Sequence, residues 1–141
     1  MKIAIINGPN LNLLGKREID IYGNESFDLF FEKLKAKFPD VAFEYFQSNI
    51  EGELINQLQK VGFTYDGIVF NPGGYTHTSI AIGDAMAAIT IPVIEVHISN
   101  IFSREDFRKI SHVSAKAVGV ISGLGLAGYD LAINYFINTS S

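Results

Sequence analysis

No cysteine occurs anywhere in the chain, which excludes disulfides, thiolate nucleophiles and cysteine-ligated zinc. Arginine is scarce: Arg17, Arg104 and Arg108 are the only ones, and lysine supplies the rest of the 11 basic residues. A surface arginine patch is therefore excluded, and each arginine present becomes a functional candidate. The net charge of −4 argues against a nucleic-acid binder that works by neutralising phosphates. Long apolar runs are missing too. Met1-Lys2-Ile3-Ala4-Ile5-Ile6 starts like an export signal, but the run stops at Asn7-Gly8-Pro9 and no later run reaches membrane-spanning length. The expected compartment is the cytoplasm, with neither membrane nor nucleic acid as a partner. The Asn-x-Ser/Thr triplets at Asn24 and Asn138 then carry no expectation of glycosylation. Linkers, low-complexity stretches and internal repeats are also lacking, so a single domain over residues 1–141 is expected.

What is present is a core and an alternation. Hydrophobic residues make up 48% of the 141 positions, and a chain of this length buries roughly two-thirds of its unfolded surface. Ile3 to Ile6 is an apolar β-branched run, the pattern of a strand buried on both faces. Phe27, Phe30, Phe31, Leu34 and Phe38 fall at helical spacing after Ser26, and Pro39 stops that helix. Val41 to Phe46 reads as a second strand, and Leu54, Leu58 and Val61 mark a helix ending at Gly62. Ile68-Val69-Phe70 is a third strand, closed by Asn71-Pro72-Gly73-Gly74, and a helix rich in small residues follows from about Ser79 to Ile89. Pro92 to His97 and Ala117 to Ile121 are the fourth and fifth strands, and Leu126 to Phe136 is a closing helix. Strands alternating with helices require a parallel sheet covered on both sides. Right-handed crossovers then favour an α/β, flavodoxin-like sheet of order 2-1-3-4-5. Such sheets bind ligands beyond the carboxyl ends of the strands, at the switch point between strands 1 and 3. The segments there, Asn7 to Tyr22, Asn71 to His77 and His97 to Arg108, concentrate Asn, His, Arg and Gly.

Gly123-Leu124-Gly125-Leu126-Ala127-Gly128 matches a dinucleotide fingerprint, G-x-G-x-x-G. No strand follows its helix, and the chain ends before an acidic residue could hold a ribose, so these glycines read as a tight strand-to-helix turn. There is no Walker motif, no hydroxyl-rich phosphate loop after strand 1, and none of the acidic residues of a receiver domain. Metal binding lacks ligand spacing: Glu95 and His97 are the nearest case, and two ligands do not make a site. Strand period places Glu95 and His97 on one face. A carboxylate beside an imidazole fixes its tautomer and suits it to general-acid work near neutrality. His77 either caps the following helix or binds a ligand, and His112 reads as a surface residue. The stretch from Asn7 to Asn24, about 18 residues without periodicity, is long for a loop in a compact domain, and such loops are often lids. It carries Asn10, Asn12, Arg17 and Tyr22, with Gly8, Gly15 and Gly23 as hinges. An arginine against a phenol favours the phenolate, a base strong enough for a carbon-bound proton; the alternative is a tyrosine that anchors the lid by packing.

Five segments resemble type II 3-dehydroquinate dehydratases: Asn7-Gly8-Pro9-Asn10-Leu11-Asn12-Leu13-Leu14-Gly15, Gln47-Ser48-Asn49 with Glu51-Gly52, Asn71 to Ser79, Glu95 to Asn100, and Gly123-Leu124-Gly125. They run in one order along nearly the whole chain. The resemblance implies a flavodoxin-like fold, a dodecamer of four trimers, and dehydration of 3-dehydroquinate in the shikimate pathway without metal or cofactor. It implies Tyr22, on a lid at about residues 15–24, as the base at C2, and Arg17 as its activator. Asn10 would hold a water at the enolate oxygen, and His97, oriented by Glu95, would protonate the departing C1 hydroxyl. Ile98 and Ser99 would take the substrate carboxylate, and Asn71, His77 and Arg108 the ring hydroxyls. Asp84 would reach substrate across a subunit contact. Three positions depart from the common pattern: Ile19 where proline is frequent, and Ile50 and Phe102 where histidine is usual. None removes a residue assigned to chemistry. The alternative Schiff-base route needs a lysine in the site, and Lys16 is the sole lid candidate.

Two rival readings stand beside this one. A ligand-binding module on the same scaffold accounts for the polar loops but has no need of a phenol next to an arginine. A structural oligomer subunit accounts for the small residues around Ala81, Ala85 and Ala88, but not for the loops.

Overall fold

The computed structural model describes residues 1–16 and 25–140. Five parallel strands, β1 (Lys2–Asn7), β2 (Ala42–Gln47), β3 (Gly67–Asn71), β4 (Val93–His97) and β5 (Gly119–Ser122), form one sheet of order β2-β1-β3-β4-β5. Helices α1 (Phe27–Lys37), α2 (Glu51–Val61), α3 (Ile80–Ala88) and α4 (Ala127–Thr139) cover it. This is the flavodoxin-like order expected from the alternation.

Strand alternation divides the core in two. Ile3, Ile5, Val69, Ile94 and Val96 face α1 and α4, where they meet Phe27, Phe30, Leu34, Tyr129, Ile133 and Phe136. Ala4, Ile6, Ile68, Phe70 and Val93 face α2 and α3, against Leu54, Leu58, Val61, Ile82 and Met86. Each fully buried aliphatic side chain contributes about 1.5–3 kcal/mol, so these two layers, not the surface ion pairs, hold the sheet between its helices. The Lys37–Asp130 pair that joins α1 to α4 is half exposed on the lysine side and adds at most about 1 kcal/mol.

Local chemistry sets the helix starts. The Ser26 hydroxyl accepts from Leu29 N, and the Ser79 hydroxyl from Ile82 N at 2.9 Å, so both helices carry hydroxyl N-caps. Helix α2 begins at Glu51, ahead of its apolar stripe, with Glu51 and Glu53 in the first turn, where carboxylates favour the helix dipole. Strand β5 begins at Gly119, two residues later than its apolar run suggests. Ala117 instead closes a short helical turn by donating to Ser114 O. Val118 and Val120 are exposed along this sheet edge, so their β-branched pattern does not report core.

Candidate active site

The carboxyl ends of β1, β3 and β4 open onto a cavity of about 170 Å³. Its lining includes Asn10, Asn71, His77, His97, Ile98, Ser99 and Arg108, seven of the residues singled out from the sequence, and also Arg104, to which no role was given. Arg17 and Tyr22 lie outside the described residues, as does Ile19. Ile50 and Phe102 are exposed and do not line the cavity. Asp84 is exposed on α3 and does not line the cavity of a single chain.

The first wall is the turn after β1. Gly8 N donates to Asn71 O at 2.7 Å, and a Cβ on Gly8 would sit 2.4 Å from Pro72 O. Only glycine lets the loops after β1 and β3 approach this closely. Gln47, the last residue of β2, and Asn49 just beyond it hold the same turn: Gln47 Nε2 donates to Gly8 O at 3.1 Å, and Asn49 Oδ1 accepts from Asn10 N at 2.9 Å. Asn10 has φ 71°, a left-handed conformation that asparagine tolerates better than most residues. These bonds give the Gln47-Ser48-Asn49 segment a physical task that sequence reading did not supply.

A buried polar network lies below that wall. Asn7 and Asn71 are register partners at the ends of β1 and β3. Tyr129 OH, fully buried on α4, donates to Asn7 Oδ1 at 2.7 Å and accepts from Asn71 Nδ2 at 3.1 Å. Asn71 Oδ1 accepts from Gly73 N at 3.1 Å. This fixes the Asn71 amide, and its second N–H has no partner among the described residues. Burial raises the Tyr129 phenol far above its ordinary value, against the lowering effect of its asparagine bonds, so it stays a donor. Tyr45, whose OH accepts from Asn7 Nδ2 at 3.3 Å, is pushed up to about 12, chiefly by burial.

Both cavity histidines have assigned tautomers. His77 Nδ1 lies 2.7 Å from Ile110 O, and a carbonyl can only accept, so Nδ1 carries the hydrogen. Burial lowers the His77 pKa below its ordinary value; the Ile110 carbonyl opposes this, while His97 and Arg108 add to it. A neutral His77 then presents Nε2 as an acceptor, suited to a ligand hydroxyl. His97 turns Nε2 to Glu95 Oε2, in a hydrogen bond between two buried side chains, which leaves Nδ1 as its reactive nitrogen. The same-face placement expected from strand period is therefore realised.

Past His97 the chain leaves the ladder. The β5–α4 glycines support it there: Gly123 N donates to His97 O at 3.1 Å and Gly125 N to Ile98 O at 3.0 Å. Gly123 has φ 92°, and a Cβ on it would sit 2.9 Å from Asn100 Cβ. The G-x-G-x-x-G run is thus the tight turn expected of it, with the added task of bracing the β4 loop. Ser99 Oγ accepts from Arg104 Nη1 at 3.3 Å. Arg108 Nε meets Glu105 Oε2 at 3.1 Å while its guanidinium lies 4.8 Å from the Phe107 ring centroid. Glu105 also reaches Arg104 at 3.9 Å. The signal for Arg104 was its rarity and its place three residues after Ile101, on the segment after β4.

The segment from Ile110 to Ser114 backs this wall. His112 N donates to Thr76 O at 2.9 Å, and its carbonyl lies so close to Gly83 that a Cβ there would stand 2.2 Å away. His112 is only half-buried, and its backbone rather than its ring does the anchoring. Among the described residues, no three His, Cys, Asp or Glu side chains group to hold a metal ion, and no helix is long and apolar enough to cross a membrane.

Comparison with known proteins finds likeness over nearly the whole chain. The family described as Dehydroquinase class II matches residues 1–137. The 3-dehydroquinate dehydratase of Fusobacterium nucleatum is 53% identical, over 97% of each chain. That of Clostridium botulinum (strain Loch Maree) is 50% identical, over 99% of this chain and 96% of its own. The crystal structure of the type II dehydroquinase of Butyrivibrio crossotus superposes with a TM-score of 0.93 at 48% identity, covering 97% of both chains. A cavity at the switch point, a histidine on its wall backed by a buried carboxylate, and this identity over nearly the full length place the chain in the class II dehydroquinase family.

Proposed function

We propose that this chain is a hydro-lyase that converts 3-dehydroquinate to 3-dehydroshikimate, in the shikimate route to aromatic amino acids. The observation that carries this reading is the His97–Glu95 pair, set at the end of β4 with Nδ1 left for the cavity, in a chain half identical to named 3-dehydroquinate dehydratases.

The reaction passes through an enolate, because the C3 ketone acidifies the proton at C2. Tyr22, activated by Arg17, takes that proton. Asn10 holds a water that donates to the enolate oxygen, stabilising charge where it develops. His97, oriented by Glu95, then protonates the C1 hydroxyl as it departs, and the double bond forms between C1 and C2. The N–H groups of Ile98 and Ser99 and the Ser99 hydroxyl take the substrate carboxylate. Asn71 offers its remaining N–H, His77 its Nε2 lone pair and Arg108 its guanidinium to the ring hydroxyls. No metal or cofactor enters any step.

The assembly in this reading is a dodecamer of four trimers, in which Asp84 of one subunit completes the site of its neighbour. The exposed position of Asp84 on α3 and the apolar edge formed by Val118, Val120 and Leu124 support burial against other copies. The compartment is the cytoplasm, and residues 1–141 act as one catalytic domain with a lid over about residues 15–24. Mixing the purified protein with 3-dehydroquinate tests the reading. Growth of the conjugated-enone absorbance, undiminished by exhaustive chelation, is the expected result; no absorbance change, or activity only on metal addition, refutes it.

A further inference from the structure

Glu95 is fully buried, and each of its oxygens meets one partner. Oε2 faces His97 Nε2, and Oε1 accepts from the Ser114 hydroxyl at 2.8 Å. Ser114 Oγ shares a second hydrogen bond of 2.8 Å with Ser111 Oγ. The direction of that bond is forced. A serine hydroxyl has one hydrogen and two lone pairs. Ser111 Oγ accepts the backbone N–H of Val113 at 3.1 Å and that of Ser114 at 2.9 Å, which occupies both lone pairs. Its own hydrogen must therefore go to Ser114, and the single hydrogen of Ser114 is aimed at Glu95. Two serines make a one-way donor chain ending on a carboxylate shut away from water.

We propose that Ser114, backed by Ser111, is a positioning residue for His97, holding Glu95 as a charged acceptor so that the imidazole keeps Nδ1 toward the cavity throughout proton transfer. This rests on the dehydratase reading in that His97 is taken as the acid. A buried carboxylate without donors takes up a proton rather than stay charged, and would then release its hold on the His97 tautomer. After His97 has given up its Nδ1 proton, Glu95 faces a neutral ring that still donates through Nε2, and Ser114 supplies the second donor to the carboxylate. Among the described residues, the charged and titratable groups that line the cavity with His97 are His77, with its ring centroid 6.4 Å from that of His97, Arg104 and Arg108, and the serine segment carries His112. Bonds in such a chain polarise one another, so Ser111 acts through Ser114.

The test combines turnover of 3-dehydroquinate against pH with a ¹⁵N NMR titration of the histidine rings, in wild type, Ser114→Ala, Ser114→Thr and Ser111→Ala. Ser114→Ala should lower kcat on the order of ten-fold, what a buried acceptor left unsatisfied is worth, with KM little changed. The alkaline limb of kcat and the His97 ring midpoint should both move to higher pH, because the neutral-imidazole state now leaves Glu95 a donor short. Threonine should restore both, and Ser111→Ala should give a smaller shift in the same direction. Wild-type kcat and His97 titration in Ser114→Ala would overturn the proposal. So would a lowered kcat with an unshifted limb and no rescue by threonine, which marks damage to the fold alone. The NMR reading needs no turnover: a wild type that fails to dehydrate 3-dehydroquinate refutes the dehydratase reading, while the His97 midpoint still decides the role of Ser114.

Discussion

His77 and His97 stand in the cavity with ring planes 24° apart and centroids separated by 6.4 Å, and each is tied from behind to one short segment. Ile110 O takes the Nδ1–H of His77, and Ser114 reaches His97 through Glu95. The two rings are thereby set for opposite tasks. His77 presents an acceptor, and His97 can present a donor.

Replacing His97 tests the acid directly. His97→Ala should lower turnover by about 10² to 10⁴-fold, the usual worth of general acid catalysis. Exchange of the C2 proton with solvent should continue, because that step belongs to Tyr22. Nearly unchanged turnover would return His97 to a structural role.

Arg17 tests the base. At neutral pH an unperturbed tyrosine is only about one-thousandth phenolate, since its pKa is roughly 10. Arg17→Ala should therefore cut turnover strongly at pH 7 and regain part of it in more alkaline buffer, as hydroxide ionises Tyr22. Arg17→Lys should rescue incompletely, because an ammonium lacks the planar fork of guanidinium. A pH profile of wild-type shape in Arg17→Ala would confine Arg17 to holding the lid; Tyr22→Phe serves as the inactive control.

His77 makes a pH-dependent contribution to stability. Its pKa in the folded state lies below the ordinary 6.5, principally through burial, so the unfolded chain takes up a proton at a pH where the folded chain does not. Stability from this group is fully present above about pH 6.5 and is lost as pH falls through the folded-state value. Urea denaturation at pH 7.5 and pH 5.5 should show a smaller loss on acidification in His77→Gln than in wild type. Equal losses in the two proteins would contradict a neutral His77.

Tyr129 links stability to substrate binding. Tyr129→Phe removes the donor to Asn7 Oδ1 and the acceptor of Asn71 Nδ2, leaving buried polar groups unmatched at a cost of about 1–3 kcal/mol. Thermal denaturation should register that loss. KM should rise more than kcat falls, because Asn71 then loses its fixed orientation toward the ring hydroxyls. A destabilised variant with unchanged KM would separate the network from the site.

The alternation of strands and helices, the sheet order and the Glu95–His97 pairing were all legible in the chain, since each depends on local period or on the handedness of crossovers. Two residues apart on a strand, Glu95 and His97 must share a face wherever the strand lies. The start of β5 was misplaced because Val118 and Val120 carry a strand's residue types on an exposed edge, where burial does not accompany the pattern. Arg104 could be noticed as rare, but not placed: its seat in the cavity depends on how the turns after β4 fold back.

Tertiary structure alone decided the contacts that hold the site. Tyr129 is 122 positions from Asn7 and 58 from Asn71, and Ser114 is 19 from Glu95. No periodicity runs over such separations. Gly83 is one of several small residues on its helix, and only the fold sets the His112 carbonyl against it. The polar inventory of the cavity could be read from composition near the strand ends, but which hydrogen each group has left for a ligand could not. That follows from which partners packing brings within about 3 Å, a distance set by the whole arrangement of sheet, helices and turns.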